Sequence, residues 1–489
     1  KVYSIAISGA KLVSDADTTI SASVTTTDAA GNSTTGSATK AYTLDSTAPT
    51  ISIDNVATDN TINASETASP IVVSGATNAE DGQTVTLTAG GETFAGTVSG
   101  GEYSIGLSAV DVAALSSGNF TVAVSDAAGN SASASRSVTV DSSGPTITAV
   151  AVAANSNAGN VISSDGDGTL NAGDAVTFNL TTSAATTISG GTPTLSLTGG
   201  GQATYASGSG STTLVFTYTV ASGETASDLQ VIGFNTGGAT LLDAQGNALV
   251  TSGAIANPTG TLVVDTTIPT VTSVVASGSG ITNGTGSEKQ SDTVTLTVNT
   301  SEAITVTGTP QLTLNTGDTV NYASGSGSTA LVFTYQVGAG DNVADLQVVG
   351  FSLNSGTMSD AAGNALATGP IVTNPVGILE IDTTAPAASI TIDSITSDNV
   401  VNATEDNGNV TITGTVGGDV KVGDTVTLTL VDGSSTSTTE TGTVSQSGSD
   451  KVYSIAISGA KLVSDADTTI SASVTTTDAA GNSTTGSAT

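Results

Sequence analysis

Carboxylates are scarce in this 489-residue chain, and they recur at patterned places. Asp-Ala-Ala-Gly-Asn begins at Asp28, Asp126, Asp360 and Asp478, and Asp-Ala-Gln-Gly-Asn begins at Asp243. A second motif reads Asp, two Ser/Thr residues, any residue, Pro; it opens at Asp45, Asp141, Asp265 and Asp382. Carboxylate and amide oxygens are hard ligands of the kind calcium takes, ~6–8 at a time. The five-residue motif is also a good hairpin turn, with Asp capping its own backbone and Gly or Asn at positive φ. Turn alone and turn plus ligand both stay open. A third segment, Ser-Asp-Gly-Asp-Gly-Thr-Leu-Asn, sets Asp165, Asp167, Thr169 and Asn171 at alternating positions. That spacing is like the start of an EF-hand loop, without flanking helices or a terminal Glu.

Little else here could do chemistry. His and Cys are absent, which removes Ser-His and Cys-His catalysis, thiolate zinc, iron–sulfur clusters and disulfides. Trp is absent too, and the acids repeat once per domain, whereas an active site needs one unique constellation. No enzyme is expected. Eight Lys plus Arg against 42 Asp plus Glu leave a net charge of −34, which argues against a nucleic-acid partner. No apolar run approaches the ~20 residues of a membrane span, so no membrane insertion is expected within this segment.

The elements that must position these acids are β-strands. Thr-Val-Thr-Leu-Thr-Leu at 425–430, Thr-Val-Ala-Val at 121–124, Thr-Val-Thr-Leu-Thr-Val at 293–298 and Leu-Val-Phe-Thr-Tyr-Thr-Val at 214–220 alternate or run apolar with β-branched residues. Turn formers separate such runs, and no window shows a capped helical stripe. About seven strands in ~100 residues predict a sandwich of the immunoglobulin type. Its core would be Val, Ile, Leu and Ala, anchored by Phe120, Phe178, Phe216 and Phe333.

Repeats set the domain plan. Residues 1–39 recur unchanged at 451–489, which makes the repeating unit 450 residues and reads as a slice of a longer array. Pro fixes φ and donates no hydrogen bond, so the Asp-to-Pro motif suits a stiff joint between domains. The joints predict an all-β, linear tandem array of immunoglobulin-like β-sandwich domains. They are a C-terminal half-domain at 1–45, full domains at 46–141, 142–265 and 266–382, and a domain at 383–489 that lacks the end of its last strand. The missing piece corresponds to residues 40–45, so that edge is expected to fray. Domains 142–265 and 266–382 form one type, matching over 191–247 and 308–364; 46–141 and 383–489 share an opening, Asp54–Glu66 against Asp393–Glu405.

In such a topology the turn before the last strand lies where the chain enters a domain, and the last strand delivers its Asp to the next domain. Asp45 should therefore approach Asp126 and Asn130, Asp141 should approach Asp243 and Asn247, Asp265 should approach Asp360 and Asn364, and Asp382 should approach Asp478 and Asn482. The loop between the first two strands lies at the exit end, adding Asp59 and Glu66, or Asp398 and Glu405, near the next joint. Calcium is the cofactor these oxygens point to.

The joints, the Ile-Thr-Ser-Asp-Asn-Val-Val-Asn-Ala-Thr-Glu opening, Gly-Asp-Thr-Val-Thr-Leu-Thr-Leu and Asp-Ala-Ala-Gly-Asn together resemble bacterial Ig-like repeats of giant type-I-secreted RTX adhesins of biofilms. The resemblance spans essentially the whole chain. It implies an extracellular, cell-surface extender that binds calcium near domain junctions and projects adhesive domains in adhesion and biofilm formation. Its partners would be adjacent repeats of the same chain and, in a fibre, other copies. The alternative is a repeat subunit of an extracellular filament or surface layer with lateral chain contacts.

Overall fold

The structure is a computed structural model that describes residues 1–156, 160–164, 166–253, 255, 257–367, 374–432 and 434–489. Four separate hydrophobic cores follow one another along the chain. They draw on residues 51–140, 147–264, 271–381 and 388–488, and no residue is shared between them. Phe120, Phe178, Phe216 and Phe333 are fully buried in three of them.

The alternation read from the sequence is what fills each core. In Thr425–Val431 every second residue is buried, and Val426 and Leu428 stand opposite Val474 and Ala472 on Ser471–Thr477. That sheet orders Ser437–Thr443, Thr425–Val431, Ser471–Thr477 and Ser483–Ala488; a second sheet orders Ala388–Ile390, Asn409–Gly418, Asp450–Ser458 and Ser445–Ser447. The two faces enclose one core, as a sandwich requires. In 46–141 the strand Glu92–Ser99 pairs first with Thr84–Ala89 and then with Glu102–Leu107, which joins the two layers.

The two domains of the other type each carry a 15-residue strand, Ala175–Ser189 and Thr293–Thr307. An irregularity at Thr181–Thr186 ends most of its pairing with Ser211–Thr219, and the far end pairs with Thr240–Leu242. Bulges of this sort let one strand serve two sheets. The ring of Phe216 lies edge-on between Tyr205 and Phe234, with centroids 5.8 and 6.1 Å away.

Where the sequence predicts no helix, the described residues include five short α-helices of four to six residues. One turn is too short to carry a 3.6-residue stripe, so periodicity cannot reveal it. In three of them the signal is instead a capping box, while Gly9–Val13 and Gly459–Val463 have no side-chain cap. The Asn63 side chain accepts from Ser65 and Glu66 N–H while Asn63 N–H donates to Glu66; Asn402 and Glu405 do the same. No helix among the described residues is long and apolar enough to cross a membrane.

The repeated 39 residues separate local from tertiary effects. Val24 pairs with Gly36 and Val474 with Gly486 in identical hairpins, yet Val24 is 64% exposed and Val474 is fully buried. Turn chemistry and strand propensity form the hairpin; only the other half of a sandwich buries it. At the far end, the strand Ser483–Ala488 keeps its pairing through Ala472 and Ala488, so the ladder shows no fraying there.

Candidate metal centres at the domain joints

Each joint Asp opens an Asx-turn in which its Oδ1 accepts the N–H two residues on. The donors are Thr47 (3.0 Å), Ser143 (3.0 Å), Thr267 (2.9 Å) and Thr384 (2.9 Å). The turn leaves the main-chain carbonyl of the Asp facing the next domain. There the loop Asn meets it. Asn130 Nδ2 donates to Asp45 O at 3.2 Å, Asn247 to Asp141 O at 3.0 Å, Asn364 to Asp265 O at 2.9 Å and Asn482 to Asp382 O at 2.8 Å. All four expected juxtapositions are therefore made.

The loops themselves are closed turns. In each, the Asn N–H donates to Asp Oδ1 at 2.7–2.8 Å and the Asn amide donates to Asp Oδ2 at 2.9–3.2 Å. The copy at Asp28–Asn32 makes the same two bonds, so they belong to the turn and not to the joint. The glycine must be glycine, since its φ lies at +86° to +94° in all five copies. Asn130 side-chain and backbone donors hold the Asp126 carboxyl below the usual carboxylate range.

One joint gathers a true cluster. Carboxylate oxygens of Asp265, Glu302 and Asp360 lie within 4.8 Å of one another. Burial first, then the charges of Asp360 and Asp265, push the Glu302 carboxyl up. Three acids crowd together here, and three hard oxygens are a sound beginning for a calcium shell. Sequence reasoning missed Glu302. A signal was there: aligned on the long strands, the sister domain has Ala184 in that place.

The exit ends supply contacts more than free carboxylates. Glu66 caps Asn63 N–H at 3.0 Å, and the next residue, Ala64, donates its N–H to Asn247 Oδ1 across the joint at 2.7 Å. Asn247 is thereby a strut bonded at both ends of its amide, not an open ligand. Asp59 turns to its own loop, accepting from Thr61 N–H at 2.8 Å. Asp398 accepts from Val400 N–H and Thr396 Oγ1, both at 3.0 Å, and Glu405 caps Asn402 N–H at 2.8 Å.

The EF-hand-like spacing needs correction. Asp165 lies outside the described residues. Asp167 and Asn171 flank the extended strand Gly168–Leu170, which puts their backbones roughly 13 Å apart, too far to curl around one ion. Asp167 instead accepts Thr261 N–H at 2.6 Å, and Asn171 N–H donates to Asp174 at 3.0 Å. Alternation along a strand has the same period as ligands around a loop, and here it is a strand.

No family model matches the chain, and neither does any curated protein. Solved structures do. One, described as a Ca2+-stabilized adhesin that helps an Antarctic bacterium reach out and bind ice, is 31% identical over 91% of this chain and 99% of its own, with a TM-score of 0.51. The chain belongs to the bacterial Ig-like extender repeats of RTX adhesins. A bacterial immunoglobulin-like domain from the M. primoryensis ice-binding adhesin is 37% identical over 20% of this chain and all of that domain, with a TM-score of 0.18. For an extender repeat the direct Asn-to-carbonyl strut is the common part of every joint, and the acids around it are the variable part.

Two expected outcomes follow from this geometry. Asn364→Ala removes the amide that holds both Asp265 O and Asp360, so it should cost about 1–2 kcal/mol and leave the domain folded; chemical denaturation checks it. The second concerns pH without calcium. An acid whose folded pKa is raised contributes stability that is complete below its ordinary value, 4.5 for Glu302, and lost as pH rises through the raised one. In chelator, wild type should therefore lose more stability than Glu302→Gln between about pH 4.5 and 7. Parallel melting curves over that range would refute the assignment.

Proposed function

We propose that this chain is a calcium-stiffened stalk segment of a long bacterial surface adhesin, a non-enzymatic spacer serving adhesion and biofilm formation. The observation that carries the reading is the Asp265–Glu302–Asp360 cluster, built from both sides of a domain joint. The Ca2+-stabilized description of the 31%-identical adhesin supports it, as does its own reach outward from a bacterium. When bound there, calcium supplies charge neutralisation between the two domains. The chain's own part is to bring Asp265 on the last strand of one domain against Glu302 and Asp360 of the next, with the Asn364 strut fixing their spacing. Without the ion, like charges at the joint repel and the string flexes; with it, the interdomain angle is held.

The test is small-angle scattering of the whole chain in calcium and then in chelator. A longer maximum dimension and a higher melting temperature in calcium are expected, both abolished at this joint by Asp265→Ala with Asp360→Ala. An ion at a hundredfold excess over its dissociation constant stabilises by ~2.7 kcal/mol per site. Identical dimensions and melting in both buffers would leave the acidic loops as turns and the stalk reliant on its Asn struts and prolines.

A further inference from the structure

The four joints share one strut but not one charge balance. At Asp45–Asp126 the neighbouring side chain is Glu80, whose carboxylate accepts Ala127 N–H at 3.0 Å. At Asp265–Asp360 it is Glu302, from the long strand, where the aligned strand of the preceding domain has Ala184. The joint at Asp382–Asp478 differs in sign. Lys421 stands four residues before the strand Thr425–Val431, as Glu80 stands four before Thr84–Ala89, and each heads the same turn. The Lys421 ammonium donates to Thr477 O. From the preceding domain, Lys289 donates to Gly481 O across the joint at 2.9 Å. Lys289 heads the same i, i+3 box as Asn171: its N–H donates to Asp292 as that of Asn171 does to Asp174, each at 3.0 Å.

Two of only eight basic residues thus converge on one five-residue loop, Lys421 bonding the carbonyl just before it and Lys289 the carbonyl of its glycine. Among the described residues no Lys or Arg side chain hydrogen-bonds the other loops. Main-chain carbonyls are oxygens that calcium also takes, and here ammonium groups take them. The two joint acids, Asp382 and Asp478, thus have two ammonium groups bonded to the loop between the domains, where Asp265, Glu302 and Asp360 cluster with no Lys or Arg side chain, among the described residues, bonded to their loop.

We propose that Lys289 and Lys421 are built-in counter-cations, so that the Asp382–Asp478 joint stays closed without calcium while the Asp265–Asp360 joint opens. This rests on the calcium reading of the stalk and deepens it: the chain would have permanent joints and ion-gated joints in a fixed order. A tethered ammonium cannot be chelated away, and its local concentration is set by its own chain.

The absence of cysteine allows paired labels on the whole chain. Spin labels at Thr217→Cys with Thr319→Cys span the gated joint; Thr319→Cys with Thr441→Cys span the lysine joint, all three positions being exposed. In chelator the first distance distribution should broaden and the second stay narrow. Lys421→Glu with Lys289→Asn installs the residues of the sister domains and should make the second pair broaden in chelator and narrow in calcium. Circular dichroism checks folding, and Lys421→Gln, expected to broaden the second pair more weakly, serves if the double variant fails to fold. If both wild-type pairs broaden alike, or the lysine variants leave the second pair narrow in chelator, the lysines are not counter-cations. If neither wild-type pair responds to calcium, the calcium reading itself fails, and this proposal with it.

Discussion

Replacing Glu288 with leucine is expected to raise the stability of domain 266–382 by about 2–3 kcal/mol at neutral pH. Glu288 is 3% exposed and its Oε1 has no hydrogen-bond partner. It sits on Gly286–Glu288, paired in parallel with Leu379–Asp382, opposite Ile381. In the sister domain the same register position, opposite Val264, is Leu170, fully buried in the core. Nature has therefore already shown that a leucine fits this slot. Burial first, then the nearby Asp292 charge, push the Glu288 carboxyl up. The sign follows: the wild-type carboxyl destabilises once ionised, so the gain from leucine should shrink as pH falls through the raised value. Calorimetry of the whole chain reads it as a shift of one transition, roughly 5–15 °C. No gain at neutral pH would mean that the carboxylate has a partner in solution.

The largest loss is expected from Phe216→Ala, about 3–5 kcal/mol, because a fully buried ring is removed from between Tyr205 and Phe234. The damage should stay local. The cores share no residue, so each domain's burial is independent of the others and only nearest-neighbour joints couple them. Three transitions should persist near their wild-type temperatures while that of 142–265 drops. A uniform fall of all transitions would mean that the array melts as one unit and that the joints couple far more strongly than their hydrogen bonds indicate.

The parts of this architecture that were legible in sequence are those fixed by local chemistry plus a topology rule. Alternating β-branched runs give the sandwiches, and the position of the penultimate turn brings Asn130 to Asp45 and Asn482 to Asp382. Glu302 was not legible in that way, because its nearness to Asp265 and Asp360 arises from where a long strand bends. Asp167 and Asn171 misled because a period of two fits both a ligand loop and a strand, and pairing with Leu262–Asp265 decided for the strand. Lys289 and Lys421 are 132 residues apart in sequence and meet only because their domains stack end to end.

The parallel pairing at the domain ends bears on what happens under tension. Thr61–Ile62 lies beside Thr139–Val140, Gly168–Leu170 beside Leu262–Asp265, and Gly286–Glu288 beside Leu379–Asp382. The last strand of each pair continues into the next domain, and its partner belongs to the opening part of the same domain. A pull along the chain therefore drags one strand lengthwise past another that runs in the same direction. The hydrogen bonds between them are loaded in shear and share the force, whereas a hairpin pulled from its open end would peel one bond at a time. Fluid drag on a tethered cell would meet its resistance first at these short clasps, beside the same Asp residues that form the joints.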